Sequence, residues 1–227
     1  HDAIDRKVGK LPDRFPIWGF DPAMGGDNCA LAKRQGNVLL EEVKVWKEPD
    51  HQESVRIVAD EFEKAKREGN PPAAICVDGT GHGQVIAQVM RIAKLPVISV
   101  HFAERATRHE IYNNKRVEII FEVSDWFKAK DVCIPRDEKL IEELVTFRRI
   151  LPDANTATKK GYQLEKAEEI RKRLGRSPDR AFAVALTFCA KTREVDHGFL
   201  DRAFPALAGR FGKRRKGAGQ RVSWMVR

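Results

Sequence analysis

The sequence predicts an α/β fold built on a mixed sheet, an antiparallel meander followed by parallel strands, flanked by helices. Three observations lead there. Two apolar runs of strand length end in an acid: Pro16-Ile17-Trp18-Gly19-Phe20 runs into Asp21, and Ala73-Ala74-Ile75-Cys76-Val77 runs into Asp78. Between them, short strand patterns are joined by tight turns. From about residue 51 onward, helix and strand patterns alternate, which is how parallel strands are connected.

Taken in order, residues 1–15 are polar and read as a linker or N-terminal arm. The first strand ends at Asp21, and the glycine-rich turn Met24-Gly25-Gly26-Asp27 follows. Asn28 to Gln35 reads as a second strand, Gly36-Asn37 as a turn, and Val38 to Lys47 as a third strand. Val55, Val58, Ala59, Phe62 and Ala65 share one face of an amphipathic helix that Gly69-Asn70-Pro71-Pro72 ends. The run Ala73 to Val77 is apolar throughout, as in a strand covered on both faces. A helix with Val85, Ile86, Val89, Met90 and Ile92 follows, then a buried strand Pro96 to Val100.

The second half begins with the polar stretch Arg105 to Lys115. A helix from about Lys115 to Lys128 then buries Val117, Ile120, Phe121, Val123, Trp126 and Phe127. Val132-Cys133-Ile134-Pro135 is a short extended piece. Asp137 to Phe147 is helical, with Leu140, Ile141, Leu144 and Val145 inward. Thr146 to Leu151 and Gly161 to Leu164 flank a loop as a β-hairpin. Glu165 to Gly175 is highly charged. Ser177 caps an apolar helix over Ala181 to Ala190, with Pro178 suited to its first turn. These elements make residues 16–204 one domain. Residues 205–227 form a basic tail in which Arg210, Lys213, Arg214, Arg215, Lys216, Arg221 and Arg227 occur with no acid after Leu207. That tail reads either as a phosphate or partner contact or as a solvated arm.

The 227 residues suit one α/β domain, and 42 basic against 33 acidic residues leave a net charge of +9. That charge favours a polyanionic partner, nucleic acid before membrane, although many basic proteins bind nothing charged. No apolar run is long enough to span a bilayer, and no signal peptide is visible. The start at His1, without a methionine, predicts a piece of a longer chain. Cys29, Cys76, Cys133 and Cys189 form no Cys-x-x-Cys pair and sit in apolar runs. They read as reduced core residues of a cytosolic protein, not a zinc site or disulfide frame.

The acids carry the chemistry. Asp21 and Asp78 each end a strand, and Asp179 opens the last apolar helix. Meeting at one sheet edge, they would supply the oxygen ligands that Mg²⁺ and Mn²⁺ require. Phosphodiester hydrolysis often uses two such ions about 3.5–4 Å apart, one activating water and one stabilising the leaving oxygen. Each acid also has a plainer reading. Asp21 starts an Asx-turn with Pro22, Asp27 holds a turn, Asp78 caps a helix or serves an ATPase, and Asp179 is a favourable first-turn acid. His82 reads as a turn residue facing solvent. Nucleotide hydrolysis is excluded, because Gly9-Lys10 is followed by Leu11 and Gly212-Lys213 by Arg214, so neither completes a P-loop.

Four motifs recur in a telling order: Phe20-Asp21-Pro22-Ala23 with Gly26-Asp27; Val77-Asp78-Gly79-Thr80-Gly81; Tyr112-Asn113-x-Lys115-Arg116-Val117-Glu118; and Leu164-x-Lys166 with Gly175-Arg176-Ser177-Pro178-Asp179. Together, over about residues 16–190, they resemble the C-terminal nuclease domain of tailed-bacteriophage terminase large subunits. The resemblance implies a ribonuclease H-like fold and a metal-dependent endonuclease that cuts concatemeric double-stranded viral DNA during packaging. It implies Asp21, Asp78 and Asp179 as catalytic metal ligands, Asp27 as an accessory acid, and Mg²⁺ or Mn²⁺, two ions, as cofactor. Lys166 matches a lysine that family members keep near the site. Lys166, Arg116, Lys159 and Lys160 are the candidates for holding the DNA backbone.

The implied partners are double-stranded DNA, a terminase motor (ATPase) domain, a small terminase subunit and the portal. The implied location is the cytoplasm of the infected host, at the procapsid portal. One departure stands out. Relatives commonly carry another acid where this chain has Phe182, which predicts a weakened second metal site or a preference for Mn²⁺. A Holliday-junction-type resolvase, or a DNA-binding or capsid-docking module with a silent nuclease, are the alternatives.

Overall fold

A computed structural model describes residues 3, 4, 6, 14–22, 28–47, 50–129, 131–150 and 161–190. Strand β1 (Ile17–Asp21) lies in the middle of the main sheet. On one side it pairs antiparallel with β2 (Cys29–Gln35), and on the other parallel with β5 (Ala74–Asp78). β3 (Val38–Leu39) and β4 (Lys44–Trp46) both pair antiparallel with β2, and β6 (Val97–Val100) pairs parallel with β5. The order β3-β2-β1-β5-β6, with β4 also on β2, is the mixed sheet that the sequence predicts.

Two sheet expectations are corrected. The strand expected over Val38 to Lys47 is two strands. Arg34 pairs with Leu39 but Leu31 with Lys44, so two extra residues bulge out between them and break the ladder. β6 is an edge strand, not a buried one, and Ile98 is exposed. β1, β2 and β5 are the strands with neighbours on both edges.

Side chains alternate across the sheet, and each face has its own helices. Trp18, Phe20, Leu31, Ile75 and Val77 pack against α1 (His51–Arg67) and α2 (Gly83–Ile92) through Val55, Val58, Ile86 and Met90. Ile17, Ala74 and Cys76 face the other way, onto Leu186 of α6 (Asp179–Leu186). Around α6 are α3 (Lys115–Lys128) and α4 (Glu138–Thr146), with Ile119, Val123, Leu140, Ala183 and Val184 in one cluster. The predicted helix faces hold except at Val85, Ile92 and Val145, which are exposed because each falls outside the arc that meets the sheet or a neighbouring helix.

Side-chain caps form at three helices. Asp50, Asn114 and Asp137 accept from the backbone N–H of Gln52, Val117 and Leu140 at 2.8, 3.0 and 3.0 Å. Such caps are worth about 1 kcal/mol each. At α6 the expectation fails. The helix starts at Asp179 and ends at Leu186, earlier than the predicted 181–190, and no Ser177 side-chain cap forms. Glu143 of α4 takes that role from outside, accepting from the Ala181 N–H at 2.9 Å.

The far end of α6 is also held. Arg34 Nη2 and Nε donate to the carbonyl and Oγ1 of Thr187, both at 2.8 Å, and burial lowers its pKa to about 10. The hairpin expected after α4 is present as β7 (Arg149–Ile150) on β8 (Gln163–Leu164), and α5 (Ala167–Leu174) follows, closed by Gly175 at φ 71. Cys29 and Cys76 are buried as expected. Cys133 and Cys189 are only partly so, and none of the four forms a disulfide among the described residues. No helix among the described residues is long and apolar enough to cross a membrane.

Candidate active-site cleft

Register places two of the acids side by side. Phe20 pairs with Val77 in the parallel β1–β5 ladder, so Asp21 and Asp78 follow at adjacent strand ends. Neighbouring strands lie about 4.8 Å apart. Alternation sends Asp21 and Asp78 to the face of Ile17, Gly19, Ala74 and Cys76, which is the α6 face.

The third acid arrives because α6 lies unusually close to β1. A Cβ on Gly19 would sit 1.9 Å from the Ala183 carbonyl oxygen, so only glycine admits the helix there. With Ala183 over Gly19, the helix start at Asp179 reaches the end of the strand. Asp21, Asp78 and Asp179 accordingly line one cleft of about 430 Å³, together with Asn28, Thr80, Phe102, Arg116, Arg171 and Phe182.

The local chemistry of each acid differs. Asp78 Oδ1 accepts from the Thr80 backbone N–H at 2.9 Å and from its hydroxyl at 2.7 Å. Burial nonetheless pushes the Asp78 carboxyl above its ordinary pKa, with Thr80 and His101 opposing. Asp78 thus orders its own turn and caps no helix, since α2 starts only at Gly83. Asp179 is buried, and Asn28 Nδ2 reaches its Oδ2 at 3.5 Å.

Glu143 stands behind Asp179. It is buried between Arg176 and Arg180, at 3.4 and 3.9 Å from its Oε1. Burial raises its carboxyl to about 7. The Ala181 N–H, Arg176 and Arg180 pull it down, and Asp179 pushes it up.

These donors are carboxylates, an amide and a hydroxyl, a set suited to a hard divalent cation such as Mg²⁺ or Mn²⁺. Among the described residues, however, no three His, Cys, Asp or Glu side chains close on one point to form a metal-binding group. The acids share the cleft as an open ligand set.

The other sequence candidates fall as follows. Arg116 lines the cleft. Lys166 is exposed at the start of α5, while Ala167 and Arg171, one helical turn apart, line the wall instead. Asp27, Lys159 and Lys160 lie outside the described residues. His82 is exposed, as expected. Phe182 is buried in the cleft wall, its ring 5.2 Å from Phe102 and 5.7 Å from Phe147. Sequence reasoning missed Asn28, Arg171 and Glu143. The antiparallel register that pairs Asp21 with Ala30 would have placed Asn28 near the site. Glu143 carries no local signal, because its role is to cap a different helix.

No family model matches the sequence, and no curated protein matches it. Solved structures do match in shape. The nuclease domain of the large terminase subunit gp2 of bacterial virus Sf6 superposes with a TM-score of 0.65 at 18% identity, over 84% of this chain and 95% of that one. A mutant of that domain was solved with manganese. The large terminase nuclease of thermophilic phage G20c, with bound magnesium, gives 0.55 at 13% identity, over 78% and 82%. The large terminase nuclease domain of Thermus phage P74-26 gives 0.53 at 12%, over 78% and 80%. The chain therefore has the ribonuclease H-like fold of phage large-terminase nuclease domains.

Proposed function

We propose that this chain is a metal-dependent endonuclease that cuts double-stranded viral DNA during genome packaging. The observation that carries it is the convergence of Asp21, Asp78 and Asp179 on one cleft that also presents Arg116 and Arg171. Acids without cations would repel a phosphodiester. Acids flanked by arginines can hold metal ions while the backbone phosphates meet positive charge. The likeness in fold to terminase nucleases supports the same reading.

In this function Asp21, Asp78 and Asp179 would hold the divalent ions, and Asp27 would assist. The metal chemistry supplied is activation of a water and stabilisation of the leaving oxygen, with two ions in the fullest form. Arg116, Arg171, Lys166, Lys159 and Lys160 would contact the DNA backbone. Phe182 adds no ligand, so Mn²⁺ should support cleavage better than Mg²⁺. A motor ATPase domain, a small terminase subunit and the portal are the partners of this role, in the infected host's cytoplasm.

The test is cleavage of supercoiled plasmid with Mg²⁺, Mn²⁺ or EDTA, comparing wild type with Asp78→Ala. Metal-dependent nicking and linearisation, lost at least a hundredfold in the variant, is the expected result. Activity retained in Asp78→Ala would remove this site from the chemistry. The alternative, a silent nuclease acting as a DNA-binding module, predicts DNA binding with no cleavage in any metal.

A further inference from the structure

Three residues around Asp179 are tied to one neighbour, helix α4. Before it in the chain, Arg176 Nη2 donates to Glu142 Oε2 at 2.7 Å and lies 3.4 Å from Glu143 Oε1. After it, Arg180 Nε lies 3.4 Å from Asp137 Oδ2, and Arg180 Nη1 lies 3.9 Å from Glu143 Oε1. The Ala181 N–H donates to Glu143 Oε2 at 2.9 Å. Glu143 is common to all of these ties, and it is buried. Asp179 stands between them and lines the cleft.

Stability alone does not call for this arrangement. A helix start is ordinarily capped from within its own segment, and Ser177 stands ready for that. Taking a carboxylate out of water beside two arginines is costly, and well-packed apolar side chains often serve as well. A serine cap, however, moves with its own helix. Glu143 belongs to α4 and holds the first turn of α6 to a second element, whose Leu140 shares a core cluster with Ala181 and Val184. A metal-binding carboxylate gains from such support, because a ligand already held in place has less freedom to lose when the ion binds.

We infer that Glu143 is a positioning residue for the metal site. It fixes the first turn of α6 to α4, so that the Asp179 carboxylate stands in the cleft before an ion arrives. Glu143 itself is not part of the cleft lining, so it acts through Asp179 and not on the ion. This rests on reading Asp179 as a metal ligand.

The test is Mn²⁺ binding to the whole chain without DNA, followed through the electron paramagnetic resonance signal of the free ion. Asp179→Ala shows whether Asp179 holds the ion. Glu143→Asp keeps the charge but withdraws the carboxylate from the Ala181 N–H by one methylene, and Glu143→Ala removes it. Leu144→Ala, also on α4 and packed on the same core cluster, is the control for general loosening. Circular dichroism sets a temperature at which the compared variants are folded. Affinity should fall about tenfold in both Glu143 variants and stay within about twofold in Leu144→Ala. Wild-type affinity in folded Glu143→Asp overturns the inference, as does an equal loss in Leu144→Ala. Where Glu143→Ala does not fold, Glu143→Asp decides.

In plasmid cleavage, the Mn²⁺ concentration for half-maximal rate should rise about tenfold in Glu143→Asp, with the rate at saturating Mn²⁺ kept within about threefold. A lower saturated rate at an unchanged half-saturation point overturns the positioning role. If Mn²⁺ binds through Asp179 but plasmid is never cut, the nuclease reading fails, and Mn²⁺ binding by Glu143→Asp still decides the inference. If plasmid is cut in an Asp78-dependent way while Glu143→Asp binds Mn²⁺ like wild type, the positioning role alone fails. Mn²⁺ bound equally by Asp179→Ala, or not bound by wild type, overturns the inference whatever the plasmid shows.

Discussion

Gly19 and Ala183 meet backbone to backbone, with room for a hydrogen where any other residue has a methyl group. This approach sets how far Asp179 reaches toward Asp21. Gly19→Ala forces α6 off the sheet, because the obstacle is a carbonyl oxygen and not a flexible side chain. The expected cost is roughly 3 kcal/mol, at the upper end for overpacking. Urea unfolding should show that loss. Plasmid cleavage measured under conditions where the variant is still folded should also fall, because the acids no longer share one cleft. Full activity in a folded Gly19→Ala protein would detach the site from this contact.

Glu143 links stability to pH near neutrality. Its folded pKa, about 7, lies above the ordinary carboxylate value, so the folded chain binds that proton more tightly than the unfolded one. The stabilisation is complete below about pH 4.5 and is lost as pH rises through about 7. Glu143→Gln keeps an acceptor for the Ala181 N–H but cannot ionise. Its melting temperature relative to wild type should therefore rise between pH 5 and pH 8. A constant difference would show that Glu143 does not titrate in this window.

Glu118 acts at the opposite end of the scale. It is buried and accepts from the Thr107 and Arg108 N–H groups, both at 2.9 Å, and from Lys115 Nζ at 2.7 Å. Burial alone would raise its carboxyl. Lys115 and the two backbone donors outweigh that and hold it near 2. Its contribution is present above about pH 4.5 and disappears as pH falls through about 2. Glu118→Gln leaves Lys115 unpaired beside the start of α3 and should cost on the order of 3 kcal/mol at pH 7. The gap from wild type should narrow in acid unfolding below pH 4, and a gap independent of pH would contradict this assignment.

Phe182 packs in the core and lies under the Arg116 guanidinium, 5.6 Å from its ring centroid. Phe182→Ala removes its ring contacts with Phe102 and Phe147 and should destabilise the fold by about 3 kcal/mol. Duplex affinity in EDTA should fall with it, because the guanidinium loses its platform. Denaturant unfolding and anisotropy on the same sample separate the two effects. Unchanged duplex affinity in a folded variant would leave Phe182 a packing residue only.

Much of the fold is legible because it depends on local pattern. The apolar runs ending at Asp21 and Asp78, the amphipathic α1 and α3, and the hairpin after α4 are written in periods of two and 3.6 and in turn residues. The errors of burial share one cause. Val85, Ile92 and Val145 are apolar but exposed, and β6 is apolar but at an edge. Hydrophobicity states that a residue can be buried, not that another element arrives to cover it.

The sequence by itself determined which residues end strands and open helices, and therefore where Asp21, Asp78 and Asp179 stand along the chain. Only the tertiary structure decided that they share a cleft, that Glu143 caps the helix expected to be capped by Ser177, and that Arg116 lies over the Phe182 ring. Local propensity acts over a few residues of chain. The parallel β1–β5 register and the Gly19–Ala183 approach join segments far apart in sequence, through close packing that no single stretch encodes.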